Sequence, residues 1–314
     1  MESEPDAVVV GAGVSGLTTA MCLAEAGLAV TVLTADEPRA TTSAVASAMW
    51  GPSFAGPAEA VAGWTARSLE DFTALAGDPA TGVRIAAGRL ASRADGDAPP
   101  PIAAMPGFRP GTAEDLPPGF GAVFRVDVPV VDMPRYLDYL VGRLAAAGGR
   151  IRRQRVASLA EVEAPVVVNA TGLGARELAG DDGVRPARGQ HVIVANPGLD
   201  EFFFEGGGER TWAGIFPHGD RVVLGGTYDL DDWNTEPDPA QTERILRACA
   251  AVEPRLEGAR VLDVQVGLRP VRAAIRVEAE RLGDRLVVHD YGHGGTGVGL
   301  SWGCARSAAA LAMA

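Results

Sequence analysis

The sequence contains no lysine, because all 28 of its basic side chains are arginine. Catalysis that needs a lysine amine, such as Schiff-base and pyridoxal-phosphate chemistry, is therefore excluded for this chain. Acidic residues number 40, which gives a net charge of 28 − 40 = −12. This charge disfavours nucleic acid and anionic lipid as partners.

Cysteine, histidine and long apolar runs are also scarce. Cys22, Cys249 and Cys304 are too far apart for a zinc or Cys-x-x-Cys site, and the four histidines form no triad-like motif. No apolar stretch is long enough to span a bilayer, the acidic N-terminus does not resemble a signal peptide, and the C-terminus has no peroxisomal Ser-Lys-Leu tail. We therefore expect no metal site, no membrane partner and a cytoplasmic location.

The N-terminal segment carries a strong fold signal. Ala7–Val10 is a short apolar run typical of a buried parallel strand, and Gly11-Ala12-Gly13-Val14-Ser15-Gly16 follows it before a helix and the strand Ala29–Leu33. Such a glycine turn lets the backbone and a helix N-terminus approach a pyrophosphate. Asp36 follows at the distance where a carboxylate binds an adenosine ribose. The pattern predicts a dinucleotide site without separating FAD from NAD; an ordinary tight turn and a solvated aspartate are the alternatives.

Three further segments indicate a ligand site. The segment from Thr41 to Trp50 ends in small residues followed by bulky ones, which suits contact with a flat ring, although a plain loop fits equally well. Five of the nine residues from Tyr291 to Gly299 are glycine, which indicates close backbone approach to a ligand. Arg269 and Arg272 are candidate carboxylate clamps, and an ion pair with an acidic residue is the structural alternative for each.

Alternating runs between Gln190 and Ile275, including one over Val261–Val266, predict a mostly antiparallel sheet. With that sheet, several motifs in order along the chain resemble the D-amino acid oxidase family. They are Gly11–Gly16, Thr41–Pro52, Gly225-Gly226-Thr227-Tyr228, Arg269-Pro270-Val271-Arg272 and Tyr291–Cys304. The resemblance implies an α/β fold with a Rossmann-like FAD-binding lobe interleaved with a mostly antiparallel-sheet substrate lobe. The expected FAD-binding lobe comprises 1–52, 131–188 and 278–314, and the substrate lobe 53–130 and 189–277.

The resemblance also implies an activity. FAD-dependent oxidative deamination would convert a D-amino acid into a 2-oxo acid and ammonia, by hydride transfer from Cα to flavin N5, with O₂ reduced to H₂O₂. Since the cofactor carries the redox chemistry, no obligatory protein acid or base is expected. The expected partners are the D-amino acid and O₂, and the resemblance allows a homodimer.

The resemblance also implies roles for individual residues, by their positions in the shared motifs. Arg269 matches the arginine that holds the substrate carboxylate, and the carbonyl of Gly295 matches an acceptor for the substrate amine. Tyr228 matches a tyrosine near the substrate, with a packed strand-end tyrosine as the alternative. The matches to FAD contacts are Ala12, Gly13, Val14, Ser15, Asp36, Thr42, Ser43, Ala48, Met49, Val156, Gly294, Gly295, Gly297, Val298 and Gly299.

One departure affects the substrate pocket. Gly214 stands where the family usually has a tyrosine that touches the substrate. The missing ring predicts a wider pocket that favours bulky apolar D-amino acids, and the run Gly206–Gly208 adds backbone freedom. Trp212 could instead fold in and replace part of the lost surface, or pack as an ordinary strand residue.

Related activities remain as alternatives. D-aspartate oxidase typically has arginine at the position of Tyr228, which argues against that activity, although Arg210 could reach an acidic side chain. A glycine or sarcosine oxidase-like enzyme, and a flavin-binding protein without turnover, are the remaining alternatives. The last would follow if the change at Gly214 had abolished catalysis.

Overall fold

The structure, a computed structural model, describes residues 4–206 and 211–314. The helices in these residues are α1 (Val14–Glu25), α2 (Ala58–Leu75), α3 (Pro100–Ala103), α4 (Met133–Ala146), α5 (Ala175–Leu178), α6 (Pro239–Val252) and α7 (Gly297–Ala312). The strands are β1 (Ala7–Val10), β2 (Val30–Thr34), β3 (Val83–Ser92), β4 (Arg109–Pro110), β5 (Ala122–Val131), β6 (Arg150–Arg153), β7 (Val166–Asn169), β8 (Arg185–Ala195), β9 (Phe202–Gly206), β10 (Gly214–His218), β11 (Arg221–Leu224), β12 (Asp229–Leu230), β13 (Val261–Leu282) and β14 (Arg285–His293).

One end of the sheet is parallel, in the order β14–β7–β1–β2–β6. Its central strands β1 and β7 are valine-rich and largely buried, as expected for strands covered on both faces. Helix α1 connects β1 to β2 and packs against α4 and α7. These elements confirm the predicted strand, glycine turn, helix and strand at the N-terminus.

The other end of the sheet is mostly antiparallel and continues through β13, β8, β11, β10 and β9 to β3, β5 and β4. Strand β13 links the two parts, because its first half pairs with β8 and its second half with β14. It spans 22 residues, far beyond the predicted Val261–Val266. Gly267 and Pro270 interrupt the alternation in sequence, yet both remain in the ladder with β8.

Mixed α/β architecture with a large, partly antiparallel sheet confirms the expected fold class. The strands β3, β5 and β9 had no counterpart in the sequence analysis; they form the outer part of the antiparallel sheet. In the part of the chain that the structure describes, no helix combines the length and the apolar character needed to cross a membrane.

Candidate active site

A cavity of about 600 Å³ lies where several strands of the parallel sheet end. Its walls include Val10 at the end of β1, Thr34 at the end of β2 and Ala170 just after β7. Ligands of open α/β folds bind at this carboxyl edge of the sheet. The cavity extends to β8 and β13, so it lies between the parallel and antiparallel parts of the fold.

The glycine turn at the cavity wall is built by close backbone contacts. Gly11 has φ +111°, and a β-carbon there would collide with the carbonyl of Ala170. A β-carbon at Gly16 would collide with the carbonyl of Gly11, so helix α1 reaches the turn only because residue 16 is glycine. The turn thereby brings the N-terminus of α1, with its positive dipole end and N–H groups that have no acceptor within the helix, to the cavity.

Two segments that are distant in sequence meet at this helix N-terminus. The backbone N–H of Val14 donates a hydrogen bond to Ser43 Oγ at 3.0 Å. Ser43 belongs to a short 3₁₀ turn, Thr42–Val45, that follows β2. Both segments line the cavity, so the structure brings together the two regions that the sequence analysis assigned to phosphate and ring contacts.

Most of the predicted FAD contacts surround the cavity. Those that line it are Ala12, Gly13, Val14, Ser15, Asp36, Thr42, Ser43, Val156, Gly294, Gly295, Gly297 and Val298. Ala48, Met49 and Gly299 are not part of this lining. Gly299 instead packs against the segment that contains Met49, since a β-carbon at residue 299 would lie 3.8 Å from the Met49 carbonyl oxygen.

Arg269 lies at the cavity wall without a carboxylate partner among residues 4–206 and 211–314. Its hydrogen bond in this part of the chain runs from Nη1 to the carbonyl oxygen of Thr227, at 2.9 Å. Burial lowers the pKa of the guanidinium to about 10, which still leaves it charged at neutral pH. Arg272, by contrast, pairs with Asp181 at 2.8 Å. Arg272 therefore forms the ion pair that was the alternative to a carboxylate clamp, whereas Arg269 forms none with the described residues.

Two aromatic rings flank Arg269. Its Cζ atom lies 5.6 Å from the ring centroid of Trp212 and 6.0 Å from that of Tyr228, both within cation–π range. Tyr228 does not line the cavity and is 37% exposed. Gly295 is on another side of the arginine, where a β-carbon would lie 3.5 Å from Arg269 Cδ. Arg269, Tyr228 and Gly295, predicted as substrate-binding residues, thus cluster around the guanidinium.

The C-terminal glycine loop is fixed beside this cluster. Gly292 and Gly294 have φ values of +85° and +56°, which favour glycine. The N–H of Gly294 donates to the carbonyl oxygen of Pro270 at 2.8 Å, which ties the loop to the residue after Arg269. Helix α7 begins at Gly297, so its N-terminal amides also face the cavity.

Comparison with known proteins identifies the family. A family model described as FAD dependent oxidoreductase matches residues 6–311. The chain belongs to this family. It is 50% identical to a D-amino-acid oxidase of Rubrobacter xylanophilus over 98% of this chain and 96% of the relative, and 46% identical to one of Streptomyces coelicolor over 99% and 98%. The crystal structure of glycine oxidase from Bacillus cereus shares the fold, with a TM-score of 0.82, 20% identity and coverage of 99% and 95%.

FAD is the cofactor of this FAD-dependent oxidoreductase, and the cavity suits it. Gly189 on β8 and Gly267 on β13 are paired in register and both line the cavity. The space in front of both is already occupied, since a β-carbon at Gly267 would lie 2.7 Å from Val45 Cγ2 and one at Gly189 would collide with the Arg269 guanidinium. Because neither position carries a side chain, the Thr42–Val45 turn and the Arg269 guanidinium can pack directly against the sheet at the edge of the cavity.

His191, which was not among the predicted site residues, lies in the cavity wall of the oxidoreductase. Its Nδ1 lies 2.9 Å from the carbonyl oxygen of Val45. A carbonyl can only accept, so Nδ1 carries the proton and Nε2 is left as an acceptor. Burial and the charge of Arg269 lower the pKa of His191 to about 4, so the ring is neutral at pH 7. No motif marks this histidine; only its place on β8, two residues after Gly189, does so.

Gly214 does not open the pocket, contrary to the expectation from sequence. It is buried in β10, and a β-carbon there would lie 2.6 Å from the carbonyl oxygen of Gly225 and 3.1 Å from Phe216 Cε2. The carbonyl of Gly225, just after β11, and the ring of Phe216 therefore already fill the space that a side chain at residue 214 would occupy. Gly207, Gly208 and Arg210, which the sequence analysis also considered, lie outside the described residues.

Proposed function

We propose that this FAD-dependent oxidoreductase oxidatively deaminates D-amino acids to 2-oxo acids, with release of ammonia and H₂O₂. The observation that carries the proposal is Arg269, a charged guanidinium at the cavity wall with no carboxylate partner in the described part of the chain. A cation removed from water is stabilised when a ligand supplies the missing anion. An α-carboxylate is such an anion, and the D-amino-acid oxidases that this chain resembles supply the substrate class.

Each residue at the site has a limited task. The Arg269 guanidinium holds the carboxylate, and its bond to the Thr227 carbonyl fixes the direction of the clamp. Gly295 packs beside Arg269, and its backbone carbonyl is the proposed acceptor for a hydrogen bond from the substrate amine. Tyr228 adds an aromatic face and a hydroxyl beside the same group. Together they orient Cα, and orientation is the main contribution that a protein makes to such a reaction.

Bound FAD would supply the acceptor for the hydride of Cα and the route by which its electrons reach O₂. The residues proposed to hold it are the glycine turn from Gly11 to Gly16, Asp36, the Thr42–Val45 turn and the loop from Gly294 to Val298. All of these segments line the same cavity. The neutral imidazole of His191 cannot donate a proton from Nε2, so it acts as a fixed acceptor in the wall.

The oxidation of D-aspartate has less support. A second carboxylate calls for a second cation, and in the described residues the other arginine that lines the cavity is Arg155. Arg155 directly precedes Val156, in the part of the cavity that also contains Asp36, the proposed ribose end. Tyr228, rather than an arginine, lies beside Arg269. A neutral side chain on the substrate fits this arrangement better.

The free cysteines support a reducing, cytoplasmic environment. Cys22, Cys249 and Cys304 are unpaired, and burial raises the pKa of the Cys22 and Cys249 thiols to about 12, which makes them unreactive. Light scattering of the purified protein tests whether it forms the homodimer that the sequence analysis allows.

A substrate panel tests the function directly. The purified protein is mixed with D- and L-amino acids in air, and H₂O₂ is measured alongside the visible spectrum. We expect H₂O₂ with neutral D-amino acids and bleaching of the flavin by the same compounds without O₂. Activity confined to L-amino acids or glycine, or a flavin that no D-amino acid bleaches, would contradict the proposal.

A further inference from the structure

Trp212 and Arg269 lie close together although they are far apart in sequence, Trp212 just before β10 and Arg269 in β13. The indole is half-buried, and its centroid is 5.6 Å from Arg269 Cζ. Its position is made possible by Gly226, where a β-carbon would collide with Trp212 Cζ2. The backbone N–H of Trp212 also donates to the Gly226 carbonyl oxygen at 3.1 Å, and the backbone N–H of Gly226 donates to the Trp212 carbonyl oxygen at 3.3 Å. The backbone therefore holds the indole beside the arginine.

Position 214, two residues later, cannot provide a side chain on this side of the pocket. A β-carbon there would lie 2.6 Å from the Gly225 carbonyl oxygen, and the ring of Phe216 approaches to 3.1 Å. Cys249 Sγ also donates to the Gly214 carbonyl at 3.3 Å, which fixes the strand further. The aromatic surface next to the carboxylate clamp is therefore supplied by Trp212 and Tyr228 rather than by residue 214.

The two rings lie next to the cavity without lining it. Arg269 lines it, whereas Trp212 and Tyr228 do not. Both rings instead lie within cation–π range of the guanidinium, at 5.6 and 6.0 Å from Arg269 Cζ. Tyr228 is 37% exposed and follows Gly225-Gly226-Thr227 at the end of β11, whereas Trp212 is held by paired backbone hydrogen bonds. Trp212 is the more firmly fixed of the two rings.

Resting on the proposed oxidation of D-amino acids, we propose that Trp212 determines specificity by setting the upper limit on the size of the substrate side chain. The indole centroid lies 5.6 Å from Arg269 Cζ, so the ring bounds the space next to a carboxylate held by that arginine. A substrate whose carboxylate is held by Arg269 has its Cα close to this wall, so a large side chain meets the indole while a small one does not. Removing the indole opens room at that point without removing the clamp.

The test compares Trp212→Ala and Trp212→Phe with wild type, each loaded with FAD. The measured quantity is the ratio of kcat/KM for D-tryptophan to kcat/KM for D-alanine. We expect this ratio to rise roughly tenfold or more in Trp212→Ala, and by less in Trp212→Phe, within the range that pocket size commonly controls. Trp233→Ala is the matched control, because Trp233 is 55% exposed and its variant should leave the ratio unchanged.

A binding measurement separates this proposal from the proposed function. The dissociation constants of 2-naphthoate and acetate are determined from the change in the flavin spectrum of the oxidised protein, which requires no turnover. We expect Trp212→Ala to favour 2-naphthoate over acetate relative to wild type. If no D-amino acid is oxidised, the proposed function fails while this comparison still decides the role of Trp212. A folded, FAD-loaded Trp212→Ala protein with both ratios unchanged would overturn the proposal.

Discussion

The guanidinium of Arg269 occupies the space in front of Gly189, on the neighbouring strand, that a β-carbon would fill. The proposed carboxylate clamp therefore depends on the absence of a side chain at residue 189. A glycine in the middle of a strand weakens the strand, and here its presence is explained by the close approach of the arginine.

The first prediction concerns Gly189→Ala. The added methyl group must displace the guanidinium, so we expect kcat/KM for D-amino acids to fall about tenfold or more, mainly through KM. Gly63→Ala is the control, because Gly63 lies in α2 with no neighbouring atom within 4 Å of an added β-carbon. Steady-state kinetics of both proteins measure the effect. Unchanged KM in Gly189→Ala would show that the guanidinium position is unimportant.

Arg269→Ala tests the clamp itself. Loss of the charged hydrogen-bonding partner should cost about 2–5 kcal/mol in substrate stabilisation, measured as kcat/KM, while FAD binding largely survives. Arg272→Ala serves as the comparison within the same motif, since Arg272 pairs with Asp181 and should act on stability rather than on KM. If Arg269→Ala retains wild-type kcat/KM while Arg272→Ala loses it, the two roles have been assigned the wrong way round.

Tyr228→Phe should have a smaller effect. The variant keeps the ring beside Arg269 and deletes a single hydroxyl, whose hydrogen bond is worth about 0.5–1.5 kcal/mol. We expect weaker substrate binding with flavin affinity unchanged, as measured by KM and by titration of the apoprotein with FAD. A larger change in FAD affinity than in KM would place the hydroxyl outside the substrate site.

The sequence predicted the β1–α1–β2 unit because its pattern is local. An apolar strand, a glycine turn and a helix within about thirty residues specify one another through neighbouring backbone contacts. The motifs in family order predicted that the segments of Val14 and Ser43 serve one ligand and that Arg269 and Gly295 serve another, but not the contacts within each pair. No motif could reveal that Arg269 lacks a carboxylate partner in the described residues; this is visible only in the structure.

Other features depend on tertiary contacts that leave no local pattern. His191 is an ordinary strand residue in sequence, and its place in the cavity wall follows from the pairing of β8 with β13. The filled space at Gly214 comes from the Gly225 carbonyl on the adjoining strand segment. A missing side chain does not by itself leave empty volume, because protein interiors are close-packed and neighbouring atoms take up such space.

Gly214→Ala tests this difference. A methyl group 2.6 Å from the Gly225 carbonyl oxygen overpacks β10, so we expect a loss of about 1–3 kcal/mol in the free energy of unfolding. The ranking of substrates should stay as in wild type. Denaturant unfolding and the D-amino acid panel provide the two measurements. A stable variant with an altered ranking would instead support the open pocket that the sequence suggested.

The last prediction concerns the pH dependence of stability and His191. Burial, together with the charge of Arg269, lowers the pKa of this imidazole from its ordinary 6.5 to about 4 in the folded protein. As pH falls, the unfolded chain therefore binds the proton first. The stability that neutral His191 contributes is complete above pH 6.5 and is lost between about pH 6.5 and pH 4.

This linkage should cost the wild type about 2 kcal/mol of unfolding free energy between pH 7 and pH 5. His191→Gln removes the titrating ring while its amide can still donate to the Val45 carbonyl. We expect the variant to lose about 2 kcal/mol less than wild type over the same interval, measured by denaturant unfolding in saturating FAD at both pH values. Equal losses in the two proteins would mean that His191 is not held neutral by the fold. In that case its Nε2 would not be the fixed acceptor that the cavity wall requires.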